Sequence, residues 1–243
     1  MCFNIRRFNY LDSTQTALAS ADKAEHLPQW TVYLAQCQKH GKGQMQNSWE
    51  SEDGKNLTFS LLLKPLFLQP SEQFHLTQIL SLGVTDFLQK YIANEEIKIK
   101  WSNDIYIRNK KICGMLVQNI IMGEEFCKAY CGIGLNVNQT LFTSAQNPTS
   151  LAMENGRTYD LDMLFSELLE ALHKRYEGFD DAAKTKAEYI DRLLYFNQMR
   201  HYVYKGEDID AKIVDVDKYG NLQLETSDNR HIEAEQKEIV FVH

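Results

Sequence analysis

Two hydrophobic periods alternate along the chain, one typical of strands and one typical of helices. Strand-like runs rich in β-branched and aromatic residues cover 30–36, 56–64, 97–101, 104–107, 112–121, 126–133 and 135–138. Helical spacing of apolar residues predicts helices over 74–91 and over about 160–176, the second with Asp160 as its N-cap. Asp12-Ser13-Thr14 is an N-cap signal for a helix that runs to about Glu25, and another helix is predicted over 181–194. Together these elements predict an α+β fold, in which helices flank a mixed β-sheet.

The pattern changes after residue 196. Residues 197–243 contain five short alternating runs, separated by turn signals such as Lys205-Gly206 and Tyr219-Gly220-Asn221. Short, evenly spaced strands with such turns are typical of small β-barrels. We therefore predict two domains, a larger one over 1–196 and an SH3-like β-barrel over 197–243.

Composition narrows the functional classes. The net charge of −7 argues against nucleic-acid binding as the main function, because phosphate backbones require a basic surface. The five cysteines are odd in number and include no CxxC pair, so we expect neither a disulfide framework nor a zinc site. The N-terminus does not resemble a signal peptide, and no apolar run reaches the length of a membrane span. The expected compartment is the cytoplasm, without membrane contact.

Three polar segments interrupt the apolar pattern. Residues 40–49 contain two glycines and Lys42, which is typical of a flexible loop and also of a loop that binds an anion through its backbone. Residues 100–104 and 110–114 lie around a predicted hairpin and contain lysines, an asparagine and an aspartate. Such side chains can bind phosphate and magnesium, but they are also common on a solvated surface. Residues 132–138 contain two asparagines on one predicted strand face, which bond either local backbone or a ligand.

Taken in order, these segments resemble the catalytic domain of biotin–protein ligases. The resemblance covers about residues 8–195, and the order of its motifs is more specific than any one motif. The segments that carry it are Ser13-Thr14-Gln15, Gln38 to Gln44 followed by Trp49, the strand start at Asn56 to Ser60, Lys100 to Asp104, Lys111 to Leu116, Gly132 to Asn138, and Asn147 to Leu151.

The resemblance implies a fold, an activity and partners. It implies the biotin ligase fold, which is similar to class II synthetases, followed by the small C-terminal barrel. It implies an enzyme that uses ATP and Mg²⁺ to convert biotin to biotinyl-AMP and then transfers biotin to a lysine of a biotin carboxyl carrier protein. The usual carrier belongs to acetyl-CoA carboxylase, and relatives occur as monomers or homodimers. Because the motifs begin within a dozen residues of Met1, we expect a monofunctional ligase without an N-terminal DNA-binding domain.

The resemblance also assigns roles to individual residues. Lys111 ranks first for catalysis, at the meeting point of the biotin carboxylate and the α-phosphate, and Lys42 and Asp104 complete the predicted catalytic set. Asp104 either orients Lys111 or belongs to the magnesium shell, which phosphates would mainly hold. The predicted biotin site consists of Ser13, Thr14, Gln15, Gln38, Gly41, Gly43, Lys111, Gly114 and Met115. The predicted ATP site consists of Lys42, Gln44, Lys100, Asn103, Lys111 and Asn136.

Some positions depart from the family pattern. Lys42 and Gln44 replace arginines, which bind phosphate with two parallel hydrogen bonds, so we expect the loop to retain the adenylate less tightly. Gln15 replaces asparagine and Ser102 replaces proline. Two alternatives remain open: a lipoate or octanoate ligase or transferase of the same fold, and a catalytically inactive homologue that binds biotin or nucleotide.

Overall fold

A computed structural model describes residues 3–41, 43 and 49–242 of the chain. The larger part of the molecule contains one sheet and five helices in its described residues. The strands are β1 (Asn4–Leu11), β2 (Thr31–Gln38), β3 (Leu57–Leu63), β4 (Ile97–Lys100), β5 (Asp104–Ile107), β6 (Lys110–Met122) and β7 (Glu125–Leu135). The helices are α1 (Thr14–Glu25), α2 (Phe74–Leu88), α3 (Leu151–Asn155), α4 (Leu161–Glu177) and α5 (Ala182–Asp191).

The sheet is mixed, with the order β1-β2-β3-β7-β6-β5-β4. Only β1 and β2 pair in parallel among these strands, and the other neighbours are antiparallel. Every residue of β3 is buried, because helices cover both of its faces. Phe59 packs edge-on against Phe165 of α4, whereas Leu62 joins the cluster around Leu18 of α1. This two-sided burial explains why β3 reads as a continuous apolar run rather than an alternating one.

Side-chain caps set the beginnings of three helices at the predicted positions. Ser13 accepts a hydrogen bond from the Thr16 N–H at the start of α1. Asp160 accepts from the Met163 N–H at the start of α4, and Asp181 caps α5. Because each cap satisfies backbone donors that lack partners within the helix, short local signals were sufficient to predict them.

A second sheet follows at the C-terminus. Its strands are β8 (Arg200–Tyr204), β9 (Glu207–Val216), β10 (Leu222–Thr226), β11 (His231–Ala234) and β12 (Ile239–Phe241). They form an antiparallel sheet of order β11-β10-β9-β8-β12, consistent with the predicted SH3-like module. This sheet contacts the larger part of the molecule, since the Trp101 indole N–H donates to the Gly220 carbonyl at 3.0 Å. The domain boundary near residue 196 stays a prediction.

Three elements differ from the sequence-based expectation. Strand β7 ends at Leu135, so the prediction that Asn136 and Asn138 share a strand face was wrong. The edge strand β1 and the short helix α3 were not predicted. Among the described residues, the structure contains no helix with the length and apolarity needed to span a bilayer.

Candidate active site

Two cavities adjoin each other and share part of their walls. We call the first the sheet cavity, because most of its wall comes from the central sheet and the start of α1; it is lined by Ser13, Thr14, Gln15, Gln38, Gly43, Trp49, Phe59, Ser60, Asp104, Lys111, Gly114, Met115, Leu116, Gly132, Ile133 and Gly134. We call the second the loop cavity; it is lined by Trp49, Glu50, Lys100, Asp104, Tyr106, Lys111, Asn136, Phe142, Ser144, Ala145, Gln146 and Pro148. Trp49, Asp104 and Lys111 line both cavities.

A polar network lies in the sheet cavity at the start of α1. The Thr14 N–H donates to Gln38 Oε1 at 2.8 Å, and the hydroxyls of Thr14 and Ser60 share a hydrogen bond of 2.8 Å. The Gln15 amide donates to the carbonyls of Tyr130 (3.0 Å) and Leu116 (3.3 Å). These side chains are held by one another and by two strands, so their donors and acceptors are fixed in place. The structure therefore brings together four of the residues predicted for one site, Ser13, Thr14, Gln15 and Gln38.

Glycines leave part of the sheet-cavity wall without side chains. A Cβ at Gly132 would lie 2.9 Å from Gln15 Oε1, and a Cβ at Gly134 would lie 2.3 Å from the Trp49 ring. At Gly114 a Cβ would meet the same ring at 3.0 Å and the Lys111 side chain at 3.1 Å. The bare backbone at these positions lets flat groups approach the sheet closely.

Lys111 lies at the junction of the two cavities. Its Nζ donates to Asp104 Oδ2 at 2.6 Å, and both side chains are about three-quarters buried. Asp104 is on β5 and Lys111 is on β6, where a bulge between Ile105 and Tyr106 adjusts the pairing. The neighbouring loop fixes the Lys111 backbone: its N–H donates to the Asn147 carbonyl and its carbonyl accepts from the Thr149 N–H. A preorganised cation thus faces both cavities.

Lys100 adds a second cation to the wall of the loop cavity. Its Nζ lies 5.5 Å from the ring centre of Tyr106 and 5.2 Å from that of Phe241, so an aromatic ring of the C-terminal sheet packs beside this cation. Burial lowers the pKa of Lys100, the charge of Lys111 lowers it further, and Asp104 opposes both effects.

The segment 142–148 forms the other wall of the loop cavity. Glu50 accepts hydrogen bonds from the backbone N–H groups of Thr143, Ser144 and Ala145 and from two of their hydroxyls. Burial by itself raises the pKa of Glu50, but these hydrogen bonds outweigh it and lower the pKa to about 2. Asn136 donates to the Thr149 carbonyl, while its Oδ1 is buried without a hydrogen-bond partner among the described residues.

Several predicted site residues lie elsewhere or outside the described residues. Asn103 is buried and donates to the Met115 carbonyl at 2.6 Å, and it lines neither cavity. Gly41 accepts from the Trp49 N–H and so joins the two ends of the glycine-containing loop. Lys42 and Gln44 lie outside the described residues.

The structure adds residues that the predicted site did not include. Ser60, Gly132 and Gly134 line the sheet cavity, and each belongs to a motif that resembled the family, so the signal was present. Trp49 ended another of those motifs. Glu50 had no signal, because one acid in a polar loop is indistinguishable from a solvated one.

The described residues contain no group of three or more His, Cys, Asp or Glu side chains that could hold a metal ion by themselves. Asp104 is the carboxylate at the junction of the cavities, and Lys111 already contacts one of its oxygens. This donor set fits a magnesium ion that phosphates hold, since Mg²⁺ commonly takes one or two protein carboxylates and keeps several waters.

Comparison of the sequence with known proteins identifies a family that it matches. The sequence model of the Biotin/lipoate A/B protein ligase family matches residues 8–136, more than half of the 243-residue chain. The Bifunctional ligase/repressor BirA of Bacillus spizizenii is 30% identical over 176 residues, which are 68% of this chain and 53% of that protein. The Biotin--[acetyl-CoA-carboxylase] ligase of Mycobacterium tuberculosis is 26% identical over 80% of this chain and 73% of its own length.

The fold is also similar to solved structures. The biotin protein ligase from Aquifex aeolicus in complex with biotin and ATP superposes with a TM-score of 0.78 at 24% identity, over 99% of both chains. The chain spans about half the length of the first curated relatives that it matches.

Proposed function

The chain belongs to the biotin/lipoate A/B protein ligase family, and from this premise we propose that it is a biotin–protein ligase. It uses ATP to convert biotin to biotinyl-AMP and transfers biotin to a lysine of a carrier protein. The observation that carries the proposal is the shared wall of the two cavities, where Lys111 and Asp104 form an ion pair between an acid site and a nucleotide site.

Biotin is the acid that the sheet cavity suits. Its ureido group has two N–H donors and one carbonyl acceptor, which match the mixed donors and acceptors of Thr14, Gln15, Gln38 and Ser60. The nearly planar ureido ring can lie against the glycine-lined wall. With the ring system at this polar end, the carboxylate points to Lys111 and the backbone around Gly114 and Met115.

ATP is the substrate that we assign to the loop cavity. Lys100 and Lys111 offset phosphate charge, and the unpartnered Asn136 Oδ1 is an acceptor for the adenosine part. Lys42 and Gln44 of the glycine-containing loop belong to the same predicted ATP set. Mg²⁺ bound with ATP would be held mainly by the phosphates, with Asp104 as the nearby carboxylate, and would offset part of the phosphate charge.

The first step joins the two substrates. A carboxylate oxygen of biotin attacks the α-phosphorus of ATP; the new O–P bond forms while the bond to the β-phosphate bridge oxygen breaks, and pyrophosphate leaves. Two anions must approach each other for this reaction, so the main task of the site is to offset their repulsion. Lys111 is held at 2.6 Å from Asp104 before any substrate binds, which keeps its charge at the reacting centre without further reorganisation.

The second step transfers biotin to protein. The neutral amine of the carrier's lysine attacks the carbonyl carbon of the mixed anhydride; the C–N bond forms, the C–O bond to AMP breaks, and the nitrogen loses a proton. We propose the biotin carboxyl carrier protein of acetyl-CoA carboxylase or a related carboxylase as the acceptor, since one relative is named for that substrate.

The family includes lipoate ligases, which handle an acid with a less polar distal end. The hydroxyl and amide side chains of Thr14, Gln15, Gln38 and Ser60 favour biotin, because an alkyl chain offers no hydrogen-bonding group to this polar end of the cavity. An inactive homologue is disfavoured because Lys111, Asp104 and Gly114 are all present at the junction.

Biotin-dependent exchange of labelled pyrophosphate into ATP tests the proposal. The native chain should exchange with biotin and not with lipoate or octanoate. Lys111→Ala should reduce exchange by about 1000-fold, because it removes a preorganised charge next to the reacting phosphorus. Lys110→Ala is the matched control, since Lys110 is the exposed neighbour on the same strand and lines neither cavity.

Each alternative has its own outcome. Exchange with octanoate or lipoate instead of biotin would assign the chain to the lipoate branch of the family. Binding of biotin without exchange would identify an inactive homologue. Equal exchange by Lys111→Ala and the native chain would remove Lys111 from the mechanism.

A further inference from the structure

Glu50 makes a set of contacts that the proposed chemistry does not use. Its Oε2 accepts from the N–H groups of Ser144 (2.7 Å) and Ala145 (2.8 Å) and from the Ser144 hydroxyl (2.7 Å). Its Oε1 accepts from the N–H (2.7 Å) and the hydroxyl (3.1 Å) of Thr143. Three successive backbone N–H groups thus converge on one carboxylate, an arrangement known for binding anions.

The segment that Glu50 holds is exposed and has little apolar packing at its centre. Thr143, Ser144, Ala145 and Gln146 are all exposed, although Ser144, Ala145 and Gln146 form part of the wall of the loop cavity. Loops with exposed backbone and few buried apolar contacts open with small free energies unless something anchors them. The Glu50 carboxylate supplies such an anchor.

Other hydrogen bonds fix the two ends of this segment. At one end, Gln139 donates to the Leu141 carbonyl and accepts from the Glu52 N–H. At the other end, backbone hydrogen bonds join Asn147 and Thr149 to Lys111. Glu50 holds the middle, which is the part that faces the loop cavity.

Glu50 also directly follows Trp49, whose ring contacts Gly114 and Gly134 in the sheet cavity. Trp49 lines both cavities and Glu50 lines the loop cavity, so one short stretch of backbone contributes to the walls of both.

We propose that Glu50 is a positioning residue that holds residues 143–145 in place to form the nucleotide site before ATP binds, and that it couples this site to the biotin site through Trp49. The inference rests on the proposed function for the identity of the two substrates. The low pKa of Glu50 is in accord with it, because the carboxylate then remains charged at any pH at which the enzyme is assayed.

Amide hydrogen exchange tests the anchoring without substrates. The amides of Thr143, Ser144 and Ala145 donate directly to Glu50, so Glu50→Ala should accelerate their exchange by about ten-fold or more, the effect of losing a charge-assisted hydrogen bond. Glu52→Gln is the matched control, because Glu52 is a nearby, exposed acid. Unchanged exchange in Glu50→Ala would overturn the anchoring.

Kinetics test the coupling. In Glu50→Ala the KM for ATP should rise about ten-fold, Glu50→Gln should show a smaller rise, and kcat should stay within about two-fold. Because the coupling is reciprocal, the KM for biotin should also rise, but by less than the KM for ATP. Calorimetry should show that bound biotin enhances ATP affinity less in Glu50→Ala than in the native chain, and reciprocally. A fall in kcat alone, or equal rises in both KM values, would overturn the proposal.

Failure of the proposed function would look different. If the native chain shows no biotin-dependent pyrophosphate exchange, the proposed ligase function is wrong. Hydrogen exchange of the amides of residues 143–145 would still show whether Glu50 anchors this segment. Far-UV circular dichroism spectra and thermal melting curves of each variant would show whether the fold is retained.

Discussion

The two cavities are built in different ways. In the sheet cavity the side chains of Ser60, Thr14 and Gln15 are almost fully buried, at 0%, 3% and 7% exposure, and they lie on β3 and the first turn of α1. In the loop cavity part of the wall is an exposed segment that a carboxylate holds in place. In the proposed ligase, selection of the acid would therefore depend on rigid secondary structure, and nucleotide binding would depend on a loop whose position has to be maintained.

The difference has a physical reason. A small acid that must be distinguished from other acids needs fixed donors and acceptors, because unpaired buried groups then reject the wrong ligand. A nucleotide has to enter and its products have to leave at each turnover, which requires a wall that can open. Lys111 and Asp104 lie where the sheet cavity and the loop cavity meet, and both residues belong to strands of the sheet.

After the loss of Lys111 itself, the largest expected effect comes from disturbing the wall that the two cavities share. Gly134→Ala places a Cβ 2.3 Å from the Trp49 ring, which must then move into one cavity or the other. We expect biotin-dependent exchange to fall by about 100-fold, the upper range for overpacking, with both KM values raised. A KM change for biotin alone would show that Trp49 does not serve both sites.

A double variant sharpens this test. Trp49→Leu removes the ring that a Cβ at Gly134 would clash with. The loss of biotin-dependent pyrophosphate exchange caused by Gly134→Ala should therefore be smaller in the Trp49→Leu background than in the native background. The coupling between the two substitutions is the quantity to measure. Additive effects would attribute the loss to the strand β7 backbone rather than to the ring.

A smaller effect, confined to the sheet cavity, is expected from Thr14→Val. The substitution keeps the shape but removes the hydroxyl that bonds Ser60 at 2.8 Å. The KM for biotin should rise about ten-fold, because a buried partner loses its hydrogen bond, while the KM for ATP stays within about two-fold. Thr16→Val is the control, since Thr16 is exposed on the same helix turn. Equal changes in both KM values would break the distinction between the cavities.

The smallest expected effect concerns the loop cavity and pH. The pKa of Lys100 lies below its ordinary value of 10.5, so its charge is complete at low pH and is lost as pH rises through the lowered value. As the pH rises through this lowered pKa, the KM for ATP should rise by up to about five-fold, as expected for a partly solvated cation worth roughly 1 kcal/mol. Lys100→Arg should abolish this rise, because a guanidinium stays protonated. The same rise in both proteins would assign the pH dependence to another group.

The parts of the fold that depend on local chemistry were predictable. The caps Ser13, Asp160 and Asp181 use side chains next to the helices that they begin, so short segments contain the signal. The hairpin of β5 and β6 was likewise predicted from a polar turn between two apolar runs. Strand β1 was missed because its two arginines interrupt the apolar pattern, and its strand character depends on pairing with β2.

For the site, the order of motifs in the sequence indicated the family and most of the residues around the sheet cavity. That was possible because glycines and hydrogen-bonding side chains at set spacings reflect what the backbone and ligand both require. Tertiary structure decided the rest. It placed Asp104 on Lys111, turned Asn103 away from both cavities, and set Glu50 against residues 143–145, which are more than ninety positions away in the chain. Such contacts join segments that are remote in sequence and pair residue types that are common on any surface, so only the folded chain distinguishes them from solvated side chains.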